Sequence, residues 1–244
     1  MRAAAPSHTS MYSRRITALL AAVTCACTAA PPEFEYRTPT GIARSDDEAV
    51  ARELGILADH LSAPVSAELG VERTPQFVIH HIPSHHAIGL LVARDGEGKI
   101  LDRRIHIGDE SVAQAPFAIA HELVHWYASG PWERLPHALE EGLADWIALQ
   151  LVPEVRAIRE AELDAILAEI TPERRALALA ISKRTWAATP TQVRSDSYAV
   201  GYEIVRRLGV ARMRALCERA ESEQLARAPL VWFGVNASSS PSAD

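Results

Sequence analysis

The segment Ala118-Ile119-Ala120-His121-Glu122-Leu123-Val124-His125-Trp126-Tyr127 constrains this chain more than any other. Two histidines four apart project from one helix face, one turn apart, so both imidazoles can reach one metal ion. Glu122 lies beside that face, where it can hold a water and take its proton without ligating the metal. Phe117, Ile119, Leu123, Val124 and Trp126 cover most of the remaining circumference, which predicts a helix buried nearly all round. Burying two histidines and a glutamate without partners is costly, and a bound metal removes that cost.

A hydrolytic zinc site takes three protein ligands and leaves one position open. The next helix offers Leu139-Glu140-Glu141-Gly142-Leu143-Ala144-Asp145-Trp146. Leu139, Leu143, Trp146 and Ile147 form its apolar stripe, and Glu141 and Asp145 lie one turn apart on the opposite side. Glu141 is therefore the candidate third ligand, with Asp145 accepting a hydrogen bond from a ligating histidine. Glu140 is a full helical step away and less well aimed at the metal. Ala138 and Ala148 share the acidic side, which lets a second helix approach closely.

His121-Glu122-Leu123-Val124-His125 followed by Glu141-Gly142-Leu143-Ala144-Asp145 resembles the gluzincins, the thermolysin-like and aminopeptidase-like zinc metallopeptidases of the peptidase MA-like group. The likeness is close from His121 to about Trp146 and extends to the rest only in general layout. The gap between His125 and Glu141 is slightly shorter than is usual in larger members. Ala128 and Pro131 stand where a metzincin needs glycine and histidine, which excludes that branch.

The resemblance implies one Zn²⁺ per chain on His121, His125 and Glu141. It implies Glu122 as general base in the hydrolysis of a peptide or protein substrate. It also implies a downstream Tyr or His at the oxyanion. Tyr198, near the start of a later helix, is favoured for that role, and Tyr202 one turn on fits the role or the core. A phenol hydrogen bond there contributes about 2–4 kcal/mol. The strand near Arg103–Ile107 is the expected edge for pairing with an extended peptide. Two other readings stay open: a non-catalytic zincin-fold module binding a cell-envelope partner, and a zinc hydrolase of a non-peptide amide. The intact Glu122 favours catalysis, because a pure binder needs no base.

Residues 1–30 read as a secretory signal peptide: Arg14 and Arg15, the apolar run Ile16–Val23, small residues through Ala30, then Pro31-Pro32. The run is too short for a permanent span. Met11 offers an alternative start. Cys27 after Ala26 is the lipidation candidate of a lipoprotein-type leader, with Cys25 as the other; free secretion and an uncleaved anchor are the alternatives. Each reading implies export, as a periplasmic or outer-membrane lipoprotein or a secreted protein, with membrane contact only through an N-terminal lipid. A net charge of -6 without a Lys/Arg cluster argues against nucleic acid as partner. Processing leaves Cys217 as the single body cysteine, which excludes a disulfide framework within the expected monomer. It reads as a small buried hydrophobe.

Residues 31–235 form one domain of α+β class, a small N-terminal mixed sheet with a helix followed by a mostly helical part carrying the metal-binding helices. Strands are expected at 34–37, 76–82, 88–93 and 100–107. Helices are expected from Ser45 or Asp46 to 61, and over 112–128, 135–151, 154–169, 172–187, 195–208 and 210–222. Residues 236–244 read as a disordered tail. His80-His81 and His85-His86 read as structural or exposed histidines rather than a second metal site. His137 either lines the cleft or competes as a ligand.

Overall fold

Alternation of buried and half-buried residues over 41–45 and 77–81 marks two strands of the sheet in this computed structural model, which describes residues 34–73, 76–83, 89–94, 100–108 and 115–235. The leader with Cys25 and Cys27, the His85-His86 pair, the turn at 95–98 and the tail 236–244 lie outside the described residues. The strands are β1 (Phe34–Arg37), β2 (Gly41–Ser45), β3 (Phe77–His81), β4 (Gly89–Arg94) and β5 (Ile100–Ile107), in the order β1-β2-β3-β5-β4. β2, β3 and β5 run parallel, and β1 and β4 pair antiparallel on the two edges. Ala43, Phe77, Ile79, Ile105 and Ile107 are fully buried and turn one face of the sheet to the core.

The strand at Arg103–Ile107 is not an edge, contrary to the sequence expectation. In β5, Ile105 pairs with Ile79 on one side and with Leu90 on the other. β4 and β5 are close in sequence and pair antiparallel, while β5 uses its second side for the parallel ladder with β3. Among the described residues the unpaired side therefore falls to β4. Strand β2 was not anticipated either; its five residues GIARS mix a glycine and an arginine into a short alternation.

Helix α1 (Glu48–Leu69) is capped by Asp47, whose side chain accepts from the Ala49 and Val50 N–H groups. Neither expected cap serves there; Ser45 Oγ accepts the Asp47 N–H instead. The helix runs past residue 61 and through Pro64 because Val65 and Leu69 are buried in the core. Packing there outweighs the breaker.

Among the described residues six further α-helices follow: α2 (Ala115–Tyr127), α3 (His137–Leu151), α4 (Arg156–Glu169), α5 (Pro172–Ala180), α6 (Thr191–Leu208) and α7 (Val210–Ser222). The sheet-then-helices order makes the fold α+β. The helix expected over 172–187 stops at Ala180, because Ser182 and Thr185 hydrogen-bond each other's backbone and side chains into a turn. Cys217 is a buried free thiol, its ionisation pushed up to about 12 by burial. Among the described residues no helix is long and apolar enough to cross a membrane.

Two contacts fix the helices that carry the His121, His125 and Glu141 side chains. Tyr127 at the end of α2 shares a hydrogen bond of 2.6 Å with Ser62 of α1. Helices α3 and α6 cross backbone to backbone at Gly142 and Gly201. A methyl on Gly142 would overlap the Gly201 carbonyl carbon, and one on Gly201 would overlap the Ala138 carbonyl. Glycine in a helix interior costs about 1 kcal/mol against alanine, so each marks a close approach. That crossing places Tyr198 of α6 against Glu141 of α3.

Candidate metal centre

Helix α2 presents His121 and His125 toward α3, and both side chains are about nine-tenths buried. Their Nε2 atoms stand 3.2 Å apart. Glu141 Oε2 lies 3.3 Å from the first and 3.4 Å from the second. A tetrahedral metal with bonds of about 2.0–2.1 Å holds its ligand atoms roughly 3.3–3.4 Å apart. The three atoms already have that spacing, so His121, His125 and Glu141 form a group that can hold a metal ion.

Each imidazole is held from behind by a different carboxylate. His121 Nδ1 donates to Asp145 Oδ1 at 2.8 Å, and His125 Nδ1 donates to Glu140 Oε1 at 3.2 Å. Committing both Nδ1 protons leaves both Nε2 lone pairs for the metal. The carboxylates are anchored in turn by cations. Arg159 of α4 donates to Asp145 Oδ2 at 2.9 Å, and Lys183, in the segment between α5 and α6, donates to Glu140 Oε1 at 2.7 Å. Asp145 was singled out from its spacing as a partner for a histidine, and it lies against His121 Nδ1. Glu140, Lys183 and Arg159 were missed. Two adjacent acids at 140 and 141 were a partial signal, but the cations come from 43 and 14 residues away.

The electrostatics are those of a site built for a cation. Burial would depress the His121 imidazole, but hydrogen bonds to Asp145 and Glu141 outweigh it and raise the ring to about 9. Burial likewise opposes the charge on His125, and Glu141 and Glu140 hold it well above its ordinary value. Burial works against the Glu141 charge, yet the two imidazoles keep it well below the usual carboxylate range. Four buried carboxylates, Glu122, Glu140, Glu141 and Asp145, face two anchoring cations, Arg159 and Lys183.

Glu122 is also buried and is not among the three converging atoms. Burial raises its carboxyl first of all; the nearby His121 and His125 and a hydrogen bond from the Leu90 backbone work against that rise. Leu90 lies on β4, so the edge strand passes directly beside Glu122.

Tyr198 and Tyr202 separate cleanly. The Tyr198 ring stands 6.0 Å from that of His121, and its hydroxyl hydrogen-bonds Glu141. Burial and the charges of Glu141, Asp145 and Glu122 keep it a neutral phenol. Tyr202 is fully buried and turns away, donating to Glu160 Oε1 at 2.6 Å. His137 lies outside the ligand cluster, with Nδ1 3.6 Å from Glu141 Oε1. Its ring stands edge-on to Trp186 at 4.7 Å. His81 is buried and bonded to Ser45 Oγ at 2.9 Å, as a structural histidine should be.

Compared with known proteins, the chain matches no protein-family model and no curated protein.

Proposed function

We propose that this protein is a gluzincin-like zinc metallopeptidase that hydrolyses peptide bonds. The observation that carries the reading is Glu122, a carboxylate buried beside three converging side-chain atoms and left out of their set, with its pKa raised chiefly by burial. A site that only stores a metal needs no such group. The donor set of two imidazoles and one carboxylate suits zinc. The leader pattern over residues 14–30 supports export.

His121, His125 and Glu141 would hold the zinc, which would supply Lewis acidity and lower the pKa of a water. The chain's own residues do the rest. Glu122 accepts the proton of the attacking water and passes it to the leaving nitrogen, as a positioned carboxylate can. Tyr198 donates its hydroxyl to the developing oxyanion. Asp145 and Glu140 keep the two imidazoles in one tautomer and orientation. The open side of β4 offers backbone groups on which an extended peptide can align above Glu122.

The test pairs metal content with cleavage of a peptide library. Purified protein should carry one zinc per chain, and Glu141→Ala should lose it. Glu122→Gln should keep the metal while cleavage falls by about 10²–10⁴-fold. Equal cleavage by Glu122→Gln and wild type would remove the mechanism.

A further inference from the structure

Most arginines near the site have acidic partners. Arg159 pairs with Asp145, Arg174 with Asp196, Arg175 with Glu203 and Arg206 with Asp164. Arg194 differs. Among the described residues it has no ion-pair partner, and its Nε is buried without a hydrogen bond. Its one hydrogen bond is a long one, Nη2 to Thr191 Oγ1 at 3.3 Å. The guanidinium instead lies 5.7 Å from the centre of the Trp186 ring.

Its position matters more than its isolation. Arg194 sits in the first turn of α6, one turn before Tyr198, so the two share a helix face. Trp186 bridges them: its ring stands 5.7 Å from Tyr198 as well. The same indole packs on His137, beside Glu141. The half-buried guanidinium thus lies over an aromatic platform that reaches the candidate metal centre through His137, and among the described residues its fork makes only the long bond to Thr191. A planar fork of N–H donors matches a carboxylate bidentately, and stacking on an aromatic face pre-orients it. One helical turn is about 5–6 Å, and two extended residues span about 7 Å.

We propose that Arg194 anchors a substrate carboxylate one or two residues away from the bond presented to Tyr198. This rests on the metallopeptidase reading, because Tyr198 marks the reacting carbonyl only there. The carboxylate belongs either to the peptide's C-terminus or to an Asp or Glu side chain.

Binding without turnover tests it. Metal-loaded Glu122→Gln protein is incubated with a library of N-acetylated tetrapeptides, half with free and half with amidated C-termini. Retained peptides are read by ultrafiltration and mass spectrometry. Retention of free-acid members at least about tenfold above their amides assigns the terminal carboxylate. Enrichment of amidated members carrying Asp or Glu assigns the side chain. In either case Arg194→Met should abolish the preference and Arg194→Lys should restore part of it, with unchanged zinc content. Equal retention of all members, or retention of none, overturns the proposal. Because the readout is binding, a failure of wild-type hydrolysis counts against the role of Glu122 and leaves this comparison standing.

Discussion

Glu140 and Glu141, neighbours in sequence, hold opposite nitrogens of one imidazole: Glu140 Oε1 lies 3.2 Å from His125 Nδ1 and Glu141 Oε2 lies 3.4 Å from its Nε2. One helical step of about 100° separates their directions, and the ring fits between them. In the proposed site Glu141 is therefore placed to serve as ligand and Glu140 to aim His125.

Removing either aiming carboxylate should weaken the metal without emptying the site. Asp145→Asn and Glu140→Gln are each expected to lower zinc affinity by about 10–100-fold. Competition with a chromophoric chelator measures this. Unchanged affinity in both variants would mean that the Nδ1 hydrogen bonds do not position the rings.

Tyr198→Phe should keep the zinc and lower kcat by about 10²–10³-fold with little change in KM, as loss of an oxyanion donor does. Tyr202→Phe should do the opposite. It loses the bond to Glu160 and about 1 kcal/mol of stability, with kcat unchanged. Steady-state kinetics and thermal melts on the pair discriminate the roles. A large kcat effect at Tyr202 alone would reverse the assignment.

The metal-free protein should be most stable in a window of mildly acidic pH. His121 is raised from 6.5 to about 9, and His125 is raised in the same direction. A raised group contributes fully below its unfolded value, so this stability is present below about pH 6.5 and is lost as pH rises through 9. Glu140 and Glu141 are depressed, so their contribution is present above 4.5 and lost as pH falls. Melting in chelator across pH 4 to 10 should show a maximum between those limits, and zinc should flatten the alkaline side. Zinc binding at pH 7 should release protons, visible as a buffer-dependent binding enthalpy.

Gly201→Ala should destabilise the fold by about 1–3 kcal/mol, the usual range for overpacking. It should also reduce kcat more than it reduces zinc content, because α6 carries Tyr198 and α3 carries Glu141. Denaturant melts and metal analysis on one preparation separate the effects.

What was legible in the sequence was what helical spacing carries. His121, Glu122 and His125 sit within two turns, and Glu141 and Asp145 sit one turn apart, so their shared directions follow from the helix period. Side-chain partners brought together by tertiary packing were not legible. Lys183 reaches Glu140 only because a Ser-Thr turn ends α5 early, and Arg159 reaches Asp145 across a helix junction. Strand order was hidden for a related reason: alternation in β5 shows which face is buried and says nothing about which neighbour lies on either side. The helix expected to end at 61 runs on through Pro64 because the apolar residues beyond it had a core to enter.

The crossing at Gly142 and Gly201 makes two chemical positions into one mechanical part. Glu141 adjoins the first glycine, and Tyr198 lies one turn before the second. With the backbones in contact, α6 cannot slide or rotate on α3 without carrying the phenol relative to the ligand. Substitutions that retune this protein without disabling it should therefore gather in the exposed 182–185 turn, and the crossing itself should tolerate almost nothing larger than a hydrogen atom.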